Sequence, residues 1–285
     1  MTILQYTFMQ RALIASILIG LSAPSVGVYL VQRRLSLIGD GLGHVALAGV
    51  AAGVLTSTSP VWTALAAAIA GAVAIELIRS RGRTSGDVAL AVLFYGGIAG
   101  GVVLISQAPG GTPSNLNAYL FGAITTTTQS DLVVFAALSA LVLAVTHGLG
   151  RYLFAVSNDE EYATASGLPV LPLNLLLAVM TAVTVVVSMR VVGLLLISAL
   201  MIVPIATAQL IASSFRATVI IGTLIGVVVS VAGVTTSFYQ DTPSGGTIVL
   251  FAIALFVLVA TASGLRERRR ERRGGPGSER IAPVA

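Results

Sequence analysis

Two ionisable side chains, Asp40 and His44, stand four residues apart inside the apolar stretch RRLSLIGDGLGHVALAGVAAGVL at 33–55. At positions i and i+4 they share one face of a helix. A charge near the bilayer centre costs about 2.5–3.5 kcal/mol on insertion scales, so such residues normally face a bundle interior or a wet cavity. A carboxylate with an imidazole suits a first-row divalent cation such as zinc, manganese or iron. Gly39, Gly41 and Gly43 leave room beside them for a neighbouring backbone or a passing ion. A structural reading competes with this one. Asp40 lies about 9 Å of helix rise past Arg34 and would pair with an arginine at the interface, while His44 bonds a carbonyl. Two ligands also fall short of the roughly four that zinc takes. The remainder would come from other spans, from water or from a second copy of the chain.

The other ionisable residues carry weaker chemistry. His147 stands four residues before Arg151 at the end of an apolar run, where a structural or interfacial role is expected. Glu76 and Asp87 flank an arginine-rich break and are expected to pair with it. Asp131 and Asp241 mark boundaries at the opposite face and read as solvated helix ends. With no cysteine, disulfides and thiolate metal sites are excluded. Neither H-E-x-x-H nor G-x-S-x-G occurs, which counts against an intramembrane enzyme built on Asp40 and His44.

The elements that must position this pair are membrane spans. Of 285 residues 56% are hydrophobic and only 9% charged, against about 25% charged in soluble domains. Mean hydropathy is +0.96. The sequence therefore predicts an all-α, polytopic membrane helical bundle. A span needs about 20 apolar residues to cross roughly 30 Å of hydrocarbon. Nine candidates fit: 12–31, 36–56, 61–78, 88–106, 131–149, 172–189, 191–212, 217–238 and 247–265. The first is expected to be a retained span, not a cleaved leader. The stretch NAYLFGAITTTTQS at 117–130 is too short to cross and is expected to be an outer-face helix or re-entrant turn buried against protein. Glycines four apart, such as Gly39/Gly43 and Gly97/Gly101, are expected to let helices pack closely.

All 16 basic residues are arginines. They lie between apolar runs and in the tail, not on one face, so the pI near 10.1 does not imply a nucleic-acid partner. With the C-terminus inside, nine alternating spans put 14 of the 16 on the cytoplasmic side, leaving out Arg11 and Arg190. This predicts the N-terminus outside and the C-terminus in the cytoplasm. Eight spans remain possible, with 172–189 the weakest, but that count breaks the pattern. Residues 1–265 form the transmembrane domain. The tail at 266–285 is expected to be basic, cytoplasmic and disordered.

SNDEEYATASGLP at 157–169 is the longest polar break between spans. Ser157 as N-cap with Glu160 at N3 fits a capping box. Asp159, Glu160 and Glu161 suit a positive helix N-terminus, Gly167 suits the C′ position, and Pro169 stops continuation. The sequence predicts a helix of about two turns on the cytoplasmic face, placed to dock a soluble partner.

Together these segments resemble the permease subunit of the zinc/manganese/iron ABC-transporter family, over nearly the whole chain to about position 265. The carriers are RRLSLIGDGLGHVALAGVAAG, SGDVALAVLFYGGIAGG with Asp87 at an acidic position, NAYLFGAI, NDEEYATASGLP and VGLLLISALMIVPIATA at 192–208, in that order. The resemblance implies a fold related to cobalamin and siderophore ABC permeases, shortened by one N-terminal span. It implies metal ligation by Asp40 and His44, and a coupling helix at about 157–168 carried by Asp159, Glu160, Glu161, Tyr162, Ala163 and Gly167. The family often has Ser before the histidine, and here Gly43 stands there, which removes a hydroxyl. Implied partners are a second copy of the chain, cytoplasmic ATP-binding subunits, an extracytoplasmic metal-binding protein and the lipid bilayer. No cofactor is implied beyond the transported ion. The chain has no Walker A motif, so ATP hydrolysis is expected on a partner. The alternative is an ATP-independent secondary divalent-cation transporter, which would need several membrane acids where only Asp40 is well inside a span.

Overall fold

The computed structural model describes residues 5–82, 86–107, 116–123, 125, 127–189, 191–194 and 196–273. They hold twelve α-helices and no strand. In chain order these are α1 (Thr7–Gln32), α2 (Ile38–Leu55), α3 (Pro60–Ser80), α4 (Gly86–Ser106), α5 (Leu116–Phe121) and α6 (Gln129–Gly148). Then come α7 (Gly150–Asn158), α8 (Glu160–Ala165), α9 (Val170–Ser188), α10 (Ile197–Gln209), α11 (Phe215–Gln240) and α12 (Ser244–Arg273). Arg83, Arg190 and residues 274–285 lie outside the described residues, as does the Asp87 side chain. Helical backbone continues past position 265 as far as Arg273.

Eight of these helices are long and apolar enough to cross a membrane: α1–α4, α6, α9, α11 and α12. The segment expected to span at 191–212 is different. Its helix, α10, has only 13 residues, about 20 Å of rise against roughly 30 Å of hydrocarbon. A non-helical lead-in makes up the distance. Val191 and Val192 sit where α12 begins, since Ser244 Oγ donates to the Val191 carbonyl at 2.6 Å. Just beyond α10, Phe215 stacks on Tyr29 at 5.8 Å, near the far end of α1. The chain between them therefore runs from one end of the bundle to the other. Counted this way there are nine traverses, eight by full helices and one by a broken element.

Non-helical backbone at membrane depth must be buried in protein. Val191, Val192 and Leu194 are fully buried. The Leu194 amide donates to the Tyr119 carbonyl of α5 at 2.9 Å. Gly122 and Gly193 both take the left-handed conformation, with φ of +76° and +88°. A Cβ built on Gly193 would stand 2.6 Å from the Gly122 nitrogen. Only glycine meets both demands. Within the 117–130 stretch, α5 and the turn at Gly122 are thus clamped on the lead-in to α10.

Several hydroxyls inside the spans bond their own helix. Thr181, Thr184 and Ser188 donate to the carbonyls of Leu177, Met180 and Thr184 at 2.8 Å each. The helices α1 and α9 form the interior. Those at the rim, α4 and α12, turn apolar side chains outward: Val92 is 68% and Leu250 68% exposed.

Candidate functional site

Asp40 and His44 sit in the first two turns of α2, which starts at Ile38 with no side-chain cap. The carboxylate in the first turn complements the positive end of the helix dipole. Asp40 enters no ion pair among the described residues. The expected structural alternative, pairing with an arginine, is not formed, because Arg33 and Arg79 are committed elsewhere and Arg34 is exposed. His44 packs edge-on to the Phe94 ring of α4, with centroids 4.4 Å apart at 71°. Its Nδ1 is buried and has no hydrogen-bond partner. A buried imidazole nitrogen without a partner has an unmet need for a proton acceptor, a donor or a cation.

Glycines hold the neighbours against this face. A Cβ on Gly97 of α4 would stand 2.7 Å from the His44 carbonyl carbon. On the other side, a Cβ on Gly39 would stand 2.5 Å from Ser198 Oγ, and one on Gly43 2.6 Å from the Leu194 carbonyl oxygen. Serine at 43 would therefore collide with the lead-in to α10. Ser198 of α10 faces Gly39 across the helix interface. Ser198 Oγ is itself buried and without a partner. Nothing in the sequence marks it, since it is one serine inside an apolar run. Among the described residues no three of His, Cys, Asp and Glu gather into a metal cluster. Asp40 and His44 are thus a carboxylate and an imidazole one turn apart, with no third such side chain gathered beside them among the described residues.

The polar loop folds differently from its expected capping box. Ser157 is buried inside α7, which runs on to Asn158. Asp159 is the N-cap of α8, and its carboxylate accepts from the Tyr162 amide at 2.8 Å. The cap moved because Asp159 is where the backbone turns extended, at φ −153°. At the other end Gly167 is in C′ with φ +77°. The Leu168 amide bonds the Ala163 carbonyl and the Gly167 amide bonds that of Thr164, which is the Schellman pattern. Ala163 is fully buried, Glu161 is exposed, and Tyr162 is 70% exposed.

Glu160 points inward. Its carboxylate meets Arg33 at 3.4 Å and Arg79 at 3.2 Å, and accepts from Asn174 Nδ2 at 3.1 Å. Arg79 also binds Glu76, 2% exposed, at 2.8 Å. The short helix is therefore tied to α1, α3 and α9 at once. Burial pushes the Glu160 carboxyl up, but the hydrogen bond and charge of Arg79, with Arg33 and Asn174, outweigh it and hold the group below the usual range. Arg33 leads directly into the turn before α2, so the network lies seven residues from Asp40. The pairing of Glu76 with an arginine was expected. The roles of Arg33 and Asn174 were not, since neither span pattern nor cap chemistry marks them. His147 bonds the Leu143 carbonyl of its own helix at 2.9 Å. Asp131 closes a capping box with Thr128, and Asp241 is the left-handed C-cap of α11.

Comparison with known proteins fits this architecture. The model of the ABC 3 transport family matches residues 5–263. The manganese transport system membrane protein MntC of Halalkalibacterium halodurans is 31% identical over 256 residues, covering 90% of this chain and 87% of its own. PsaBC from Streptococcus pneumoniae, solved in complex with Fab, superposes with a TM-score of 0.80 at 30% identity, covering 90% of this chain and 92% of that one. An inward-facing metal-chelate type ABC transporter shares the fold, with a TM-score of 0.70 at 17% identity over 89% and 86% of the two chains. With a family model spanning nearly its whole length, the chain belongs to the ABC 3 transport family.

Proposed function

We propose that this chain is the membrane-spanning permease subunit of an ABC importer for a divalent transition-metal ion. Asp40 and His44 are its ion ligands. The observation that carries the reading is the state of this pair among the described residues: a carboxylate in no ion pair and a partnerless buried imidazole nitrogen, four residues apart on one helix. Two copies meeting with these helices face to face would offer two carboxylates and two imidazoles, about the four ligands such an ion takes. Similarity to the manganese transport protein of Halalkalibacterium supports manganese as the first ion to try, ahead of zinc and iron.

The N-terminus faces outside and the C-terminus the cytoplasm. Energy comes from ATP-binding subunits docked on the exposed side of α8, through Glu161 and Tyr162. Glu160, on its inner side, passes their movement to Arg33 and so to the start of α2. An extracytoplasmic metal-binding protein delivers the ion to the α5 end. The direct test is uptake of manganese, zinc and iron, each in turn, by cells with and without the chain. The reading expects uptake of at least one ion to fall with the chain's loss and to return with its expression. Unchanged uptake of all three would sink it.

A further inference from the structure

The arginines at the α8 end of the bundle fall into two sets. Arg33 and Arg79 are neutralised by Glu160 and Glu76. Arg151 and Arg216 are not, and neither pairs with a carboxylate among the described residues. Arg151 donates to the Tyr152 hydroxyl at 2.6 Å and lies over that ring at 4.5 Å, contacts that leave its charge uncompensated. Both arginines line one cavity of about 630 Å³ between α1, α6, α7 and α11, and the exposed His147 joins them there. Among the described residues no acidic side chain lines this cavity.

The rest of the lining is apolar. Phe154 and Phe215 pack at 4.5 Å and form one wall. Ile220, four residues along α11 from Arg216, is 68% exposed. The cavity therefore opens sideways, onto a surface of spanning helices, as well as toward the end of the bundle. Cations at the mouth and an apolar lateral opening are two different demands. A free anion satisfies only the first.

We propose that this cavity binds an anionic phospholipid, its headgroup phosphate held by Arg151 and Arg216 and its acyl chain lying along Ile220. Guanidinium matches phosphate geometry and is weakly hydrated. Basic pockets between spanning helices at the inner face are suited to acidic headgroups, and the inner leaflet supplies them. The site rests on the bundle being membrane-embedded with its α8 end at the inner face, as proposed above, and not on which ion it carries.

The test uses the full chain, purified in detergent with the subunits that accompany it. The complex is exposed to phosphatidylglycerol or phosphatidylcholine, and retained lipid is counted by native mass spectrometry. Wild type should retain phosphatidylglycerol well above phosphatidylcholine. R151Q/R216Q should lose roughly twenty-five-fold of that retention, from about fivefold per arginine near a charged headgroup. R151K/R216K should keep most of it, because charge is preserved. If the glutamine pair does not assemble, R216Q alone decides, since that side chain is exposed, and about a fivefold loss is expected. Equal retention of the two lipids by wild type overturns the proposal. So does unchanged phosphatidylglycerol retention in the glutamine variants. Displacement by millimolar inorganic phosphate would assign the site to a free anion and overturn it as well. No metal enters the readout, so its failure leaves the transport reading standing.

Discussion

Ser198 and Gly193 show how little freedom the backbone has around the candidate ion site. Gly193 is left-handed and faces the α5 backbone, and Ser198 fills the space that a side chain at 39 would need. Gly193→Ala should cost about 1–3 kcal/mol from strain alone, with more from the collision, read as a lowered melting temperature in detergent. Ser198→Ala is a milder change. It removes a partnerless buried hydroxyl, so the fold should hold or gain slightly. If the hydroxyl helps the ion shed water, manganese uptake should still drop several-fold, an order set by one lost polar contact. Unchanged uptake would make Ser198 a packing residue. At this scale the sequence marked Asp40 and His44 clearly, because ionisable groups in an apolar run have few explanations. Ser198 stayed hidden, since other span serines, Ser139 and Ser230, are likewise buried and without a partner.

The element that best separates what patterning conveys from what it does not is α8. Its existence, its acidic start and its Gly167 stop follow from local chemistry. Its exact start did not, because Ser157 and Asp159 are both good caps and only the length of α7 decides between them. Nor could one sequence show that Glu160 turns inward to Arg33, Arg79 and Asn174, which come from three other helices. That network makes a pH prediction. Glu160 has a folded-state pKa below its ordinary value of 4.5. Its contribution is therefore complete above 4.5 and lost as pH falls through the lower folded value. Melting temperature should drop over that acid range in wild type. Glu160→Gln should be less stable at neutral pH and lack that part of the drop. An identical acid profile in the variant would contradict the role of the network. Arginines at both Glu161 and Tyr162, which are exposed, should instead leave the fold intact and uncouple ATP hydrolysis from transport. Full coupling with normal co-purification of the ATPase would argue against docking at α8.

Across the whole molecule, hydropathy located the spans to within a few residues except at 191–212. There an apolar run of ordinary span length hides a break, since Gly193 and buried contacts with α5 and α12 replace half the helix. Arginine placement still sorts the two ends, because the broken element traverses the bundle as a full span would. The orientation is testable with single cysteines, and the chain has none of its own. Gln240→Cys and Ser166→Cys are both exposed and lie at opposite ends. A membrane-impermeant thiol reagent on intact cells should label position 240 and reach 166 only after permeabilisation. Labelling of both from outside would break the nine-traverse arrangement.

The central claim is that Asp40 and His44 handle the ion. Manganese uptake should be measured with wild type, Asp40→Ala, His44→Ala and Asp40→Asn, alongside co-purification of the ATP-binding subunits to establish assembly. Each alanine variant should assemble normally, because Asp40 holds no ion pair among the described residues and the buried His44 Nδ1 has no partner, and each should abolish uptake. Asp40→Asn keeps shape without charge and should be nearly as defective. Normal uptake by both assembled alanine variants would contradict the account and leave the pair a structural feature of α2.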